Sequence, residues 1–137
     1  MKANIATLVV VLFGFALLAV LTSHEPWTAM RIAGAIIGLP SLALFVLARI
    51  QLGNSFSVRA KARSLVSRGI YSRIRNPIYV FGALTFTALF LYIHRPLLLL
   101  LLLLIIPLQI RRARAEAKVL EAEFGEEYRQ YRAHTWF

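Results

Sequence analysis

Apolar residues fill this chain in long unbroken blocks separated by short polar turns, rather than alternating with polar ones at the period of an amphipathic helix or a half-buried strand. The blocks span residues 5–22, 28–48, 77–93 and 96–110. At a rise of about 1.5 Å per residue the first reaches roughly 27 Å, enough for a thin hydrocarbon core. The pattern therefore predicts an all-α integral membrane protein with about four transmembrane helices, a single domain over 1–137. A cleaved leader opens in the same way, with Lys2 ahead of an apolar core. The first block is long for such a core and lacks a small-x-small cleavage site, so it is read as a retained span.

Within the second block, Gly34 and Gly38 form a GxxxG pair that strips bulk from one helix face, and Pro40 is predicted to kink the helix. His94-Arg95-Pro96 is a tight polar hairpin between the third and fourth blocks. The fourth is short and interrupted near its end by Pro107, so Arg95, Arg111 and Arg112 are expected to snorkel at its ends.

Two polar stretches break the apolar pattern. Residues 51–76 begin with the turn signal Gly53-Asn54-Ser55 and carry Lys61, Arg63, Arg68, Arg73 and Arg75. They end in Gly69-Ile70-Tyr71-Ser72-Arg73-Ile74-Arg75-Asn76-Pro77-Ile78-Tyr79, where tyrosine, asparagine and proline interleave with arginine. Pro77 suits the first turn of the next helix, where its missing N–H costs nothing. After Ile110 a charged segment free of Gly and Pro runs to Phe124 and predicts a C-terminal cytosolic amphipathic helix. Leu120, Phe124 and Tyr128 recur along one of its faces, Arg112 and Glu116 extend that row towards the membrane, and Gly125 is a plausible interruption.

Composition agrees. The chain is 59% hydrophobic, against ~45–50% for a soluble domain. Its net charge of +10 is gathered between Arg49 and Arg75 and between Arg111 and Arg132, each cluster starting where an apolar block ends. This is the positive-inside distribution of cytoplasmic loops, which places both termini inside; a prokaryotic inner or plasma membrane is the expected location. No nucleic-acid-binding signature accompanies the charge, so no nucleic acid partner is expected. Cysteine is absent, excluding disulfides and thiolate chemistry, and His24, His94 and His134 show no ligand spacing, so no metal is expected. Without aspartate a Ser-His-Asp triad cannot be built, and GxGxxG, P-loop and GxSxG motifs are missing. The short outer hairpin makes the last two spans antiparallel neighbours, so 71–79 and 112–116 should face each other at the inner surface.

Gly69-Ile70-Tyr71, then Arg75-Asn76-Pro77-Ile78-Tyr79, a two-span hairpin, and Glu116-x3-Leu120-x3-Phe124-Gly125-Glu126-Glu127-Tyr128-x2-Tyr131 resemble the isoprenylcysteine carboxyl methyltransferase family. That family is related to the membrane phospholipid N-methyltransferases. The resemblance covers about half the chain, from Arg63 to Tyr131. It implies a methyltransferase that uses S-adenosylmethionine, bound by elements 63–79 and 111–131 at the cytosolic ends of the last two spans, and a lipophilic or amphipathic acceptor reached through the bilayer. Position by position it implies cofactor contacts from Arg63, Ser64, Leu65, Val66, Tyr71, Asn76, Pro77, Ile78, Tyr79 and Glu116. Arg112 would position the acceptor, with Asn76 also in the catalytic set.

Asn76 stands where the prenylcysteine enzymes carry histidine. An amide exchanges hydrogen bonds but takes up no proton near neutral pH, so phospholipid amine, carboxylate, thiol and small hydrophobic acceptors all remain open. Two rival readings accompany this one. One is a non-catalytic assembly protein whose Gly34/Gly38 face binds another helix. The other is a nicotinamide-dependent membrane reductase of related architecture.

Overall fold

The computed structural model describes residues 2–53 and 65–137, with side chains from residue 5 onward. Four α-helices account for most of it: α1 (Lys2–Leu21), α2 (Ala29–Leu52), α3 (Pro77–Tyr92) and α4 (Leu102–Ala133). Short 3-10 turns, Gly69–Ser72 and Pro96–Leu101, lead into α3 and α4. The chain is thus all-helical, as its apolar blocks predict. Two stretches, Ala29–Leu52 and Pro96–Ala133, are long and apolar enough to cross a membrane, while Ile5–Leu21 and Pro77–Tyr92 are apolar but shorter.

Helix ends follow local chemistry. The Thr28 hydroxyl accepts the Arg31 N–H at the start of α2, and Pro77 occupies the first turn of α3. Gly53, with φ of 51°, terminates α2. Pro40 lies inside α2, which is one continuous helix from Ala29 to Leu52. The fourth apolar block and the charged segment after Ile110 are likewise one helix, because nothing between Pro107 and Phe124 breaks it. Gly125 does interrupt it, at φ 51° and ψ −118°. That bend brings Arg129 within 3.1 Å of Glu121, an exposed pair of little energetic weight.

The contact that organises the bundle is between α2 and α3. A Cβ built at Gly34 would lie 2.6 Å from the Tyr92 nitrogen and 2.7 Å from the Ala88 oxygen, and one at Gly38 3.1 Å from the Ala88 Cβ. The GxxxG face is therefore occupied within the chain, which removes it as the free docking surface that an assembly role would require. Buried residues are mostly small, among them Gly34, Ser41, Ala48, Gly82, Thr85 and Ala88. Large apolar side chains face outward instead, Leu39 at 71% and Leu97 at 79% exposure. This inside-out distribution is that of helices packed by backbone approach and solvated by hydrocarbon.

At the opposite end of the bundle from the 69–79 turn, Arg31 is 2% exposed. Its guanidinium donates to the Thr22 and Glu25 carbonyls and to the Tyr92 hydroxyl at 2.8 Å, and it lies 4.5 Å from the Tyr92 ring centroid and 4.9 Å from that of Trp27. These acceptors and ring faces offset the desolvation of a buried charge. They also tie the end of α1 and the end of α3 to the start of α2.

Two glycines should respond oppositely to the same substitution. Gly34→Ala forces backbone against backbone and should destabilise by about 1–3 kcal/mol. A Cβ at Gly14 meets nothing within 4 Å, so Gly14→Ala should stabilise α1 by about 0.5–1 kcal/mol. Thermal unfolding in detergent measures both, and shifts of the same sign would contradict the α2–α3 geometry.

Candidate functional site

The site begins where α2 ends. Gly69 adopts φ of 63° with its open face against the Gln51 side chain, whose Oε1 accepts the Ile70 N–H at 2.8 Å. A side chain at 69 would displace that amide and break its bond to Ile70, and the positive φ favours glycine outright. The turn then drives Tyr71 inward to 5% exposure, its hydroxyl donating to the Ala48 carbonyl at 3.3 Å.

A second element closes on the turn. Ile74 and Trp136 form an isolated parallel bridge. The Trp136 N–H donates to the Arg73 carbonyl at 2.7 Å, the Arg75 N–H to Trp136 at 2.9 Å, and the Asn76 N–H to the main-chain oxygen of Phe137 at 2.9 Å. Three backbone bonds thereby fix the chain just before α3. Asn76 caps that helix through its carbonyl, which accepts the Tyr79 and Val80 N–H groups, while its side chain makes no capping bond. Pro77 beside it is almost wholly buried.

One turn into α3, the Tyr79 hydroxyl donates to Glu116 Oε1 at 2.7 Å, joining residues 37 positions apart. Arg112, exposed and one helical turn before Glu116, acts on the same tyrosine. From beyond the Gly125 bend, the Tyr131 hydroxyl donates to the Tyr71 carbonyl at 2.8 Å, and Tyr128 is 3% exposed with its ring 6.1 Å from that of Tyr131. Glu116 acts electrostatically on Tyr71, Tyr79 and Tyr128. Three of the five tyrosines thus lie within the influence of one half-buried carboxylate, and Tyr131 joins two of them.

Burial governs the ionisation of these phenols. It pushes the Tyr71 hydroxyl well above the usual range, with Tyr131 and Glu116 adding to the effect. It raises Tyr131 to about 12, with Tyr128 adding and Arg75 opposing, and it raises Tyr128 as well. All three remain neutral donors at physiological pH. The cluster can present ring faces, hydroxyl donors and one carboxylate to a cation. It offers no phenolate base.

Of the residues marked from sequence, Tyr71, Tyr79, Arg112 and Glu116 converge, and Asn76, Pro77 and Ile78 form the turn that leads into them. Leu65 and Val66 are half-buried at the start of the loop and add no polar side chain. Arg63 and Ser64 lie outside the described residues. Sequence reasoning left Tyr128 and Tyr131 out of the site and missed Gln51 and the Trp136–Phe137 segment. The i, i+3 spacing of the two tyrosines after a helix-interrupting glycine was the signal available for the first pair. Backbone pairing by 136–137 has no side-chain signature.

The fold and this cluster define a helical membrane protein with a polar, tyrosine-rich site at one end of its apolar helices. Residues 28–127 match the model of the phospholipid methyltransferase family. The chain belongs to that family, which is related to the isoprenylcysteine carboxyl methyltransferases. No curated protein and no solved structure matches it.

The tyrosine shell makes stability pH-dependent at the alkaline end. An unfolded tyrosine loses its proton near ~10, whereas folded Tyr131 holds it to about 12. Between these values the unfolded state binds fewer protons, so stability, fully present below pH ~10, should fall as pH rises through this window. A spectrophotometric tyrosinate titration of the folded protein should show Tyr71, Tyr128 and Tyr131 ionising late. Ordinary titration of all tyrosines near 10 would contradict their burial.

Proposed function

We propose that this protein is an S-adenosylmethionine-dependent methyltransferase acting on a lipophilic or amphipathic acceptor at the membrane. The observation that carries this reading is the Tyr79–Glu116 hydrogen bond, which joins two separate sequence motifs into one site at the end of the apolar helices. A phospholipid headgroup is the acceptor the family description favours.

The residues suit the donor's chemistry. When bound, S-adenosylmethionine supplies a methyl group already activated on a sulfonium, so positioning and exclusion of water matter more than an acid, a base or a metal. Neutral tyrosine rings favour a cation by ~0.5–2 kcal/mol, and Glu116 is the carboxylate available to the donor's amino group. Tyr79 holds Glu116 in place, and Tyr71, seated under α2, shields the cluster from water. Asn76, Pro77 and Ile78 form the turn beside the cluster, and Leu65 and Val66, with Arg63 and Ser64 before them, are assigned to the donor on the family resemblance. Arg112, exposed at the rim, is assigned to acceptor positioning together with Asn76, whose amide is not spent on capping α3.

In this reading all four apolar helices span the bilayer, with the termini and the site on the cytosolic side. The shorter α1 and α3 are accommodated by local thinning or by snorkelling of flanking arginines.

Glu116→Ala and Tyr79→Ala should weaken binding of S-adenosylmethionine and its demethylated product by roughly tenfold to a hundredfold, the weight of a hydrogen bond to a charged group. Arg112→Ala should leave donor binding near wild type and lower turnover. Equilibrium dialysis in detergent, paired with methyl transfer to phosphatidylethanolamine micelles, separates the two effects. A wild-type protein with no saturable binding of either ligand would refute the proposed function.

A further inference from the structure

Helix α1 meets the rest of the bundle unevenly. Its end is fastened, because the Thr22 carbonyl accepts the Arg31 guanidinium and the Thr22 hydroxyl lies 3.3 Å from that of Tyr92. Its middle is not. Val11, Gly14, Phe15 and Leu18 recur at helical spacing along the face that looks towards α2 and α3, yet none of the four is buried. Between that face and the α2–α3 pair lies a partly open cleft of about 270 Å³. The gap is widest in meaning at Gly14, where an added Cβ would meet nothing within 4 Å.

The floor of the cleft is as apolar as its walls. Phe45 of α2 lies over Gly82 of α3, its ring 3.7 Å from the place a Cβ would take. Thr85 is the one polar side chain in the lining, and it is buried with its hydroxyl donating to the Phe81 carbonyl of its own helix at 2.7 Å. Water in this space would find no partner. Left empty, the cleft forfeits dispersion contacts along both walls.

Depth and size choose the occupant. The lining comes from the middle of α1 and of α3, which is the level of the hydrocarbon core when these helices span a bilayer. At about 30 Å³ for a group the size of a water molecule, the cleft takes on the order of nine methylene groups, a segment of one alkyl chain. A helix from a second copy, about 10–12 Å across with its side chains, is too wide to enter.

We propose that the cleft between α1 and the α2–α3 pair is a binding site for one acyl chain of a bilayer phospholipid, held irrespective of its headgroup. The chain completes the packing of α1 that the protein's own side chains leave unfinished. The assignment rests on the four-span arrangement given above and is independent of methyl transfer.

The test uses the full chain in detergent, stripped of lipid and then offered dioleoylphosphatidylcholine or dioleoylphosphatidylethanolamine in mixed micelles. Native mass spectrometry should find a retained phospholipid with either headgroup, and either lipid should raise the thermal midpoint by about 3–6 °C. Gly14→Phe fills the cleft from within, so it should lower lipid retention by roughly tenfold or more and abolish the shift. Val9→Phe, at a 59% exposed position outside the lining, should behave as wild type. A Gly14→Phe protein that keeps both the lipid and the shift overturns the assignment, as does an equal loss in Val9→Phe. The wild type decides the matter without any variant: retention of no phospholipid overturns it, and so does retention of phosphatidylethanolamine alone, because an apolar lining cannot select a headgroup. Binding of S-adenosylmethionine, measured on the same preparations, should be unchanged in Gly14→Phe. Loss of lipid retention therefore leaves the methyltransferase reading standing, and a wild type that binds lipid but no donor overturns that reading alone.

Discussion

Everything in this molecule hangs on how closely α2 approaches α3. With no side chain at Gly34, the backbones meet at a separation that even a methyl group would prevent, and dispersion between the two surfaces replaces the hydrophobic drive that a bilayer cannot supply. That approach sets the level of the end of α2 relative to the start of α3. Gln51 and Ala48 consequently meet the 69–72 turn, the turn buries Tyr71, and Tyr71 in turn offers its carbonyl to Tyr131. The polar site is a consequence of apolar packing about one glycine.

The two ends of the bundle solve the problem of polar groups beside lipid differently. At the Arg31 end the two terminal nitrogens of a buried guanidinium donate to carbonyls and hydroxyls beneath two ring faces, and the result is a fastening. At the Glu116 end a carboxylate receives one tyrosine hydroxyl and is surrounded by phenols that burial keeps neutral. Such a group retains acceptor capacity, and the Arg112 guanidinium acts on the same tyrosine from the rim. The difference lies in how many internal partners the charge has, not in the residue types present.

The helical class, the approximate helix limits and the interruption at Gly125 were legible because each depends on neighbours in sequence: apolar block length, a proline in a first turn, a glycine free to take positive φ. The convergence of Tyr79 with Glu116 was legible as well, since a short hairpin makes antiparallel neighbours of the helices it joins. Other expectations needed correction or refinement. The charged segment continues the fourth apolar block as one helix. Of the four expected spans, two meet the length of a bilayer core by themselves.

The sequence by itself determined that this chain is a bundle of lipid-facing helices with a basic, tyrosine-rich turn at one end, because hydropathy and local conformational preference act within a few residues. Only the tertiary structure decided which glycine face is used up inside the chain, that Arg31 is a buried clasp and that Tyr128 and Tyr131 join the Glu116 cluster. It also placed a backbone bridge from Trp136 beside Arg75. These depend on contacts between residues tens of positions apart and, in the bridge, on main-chain atoms that every residue carries alike.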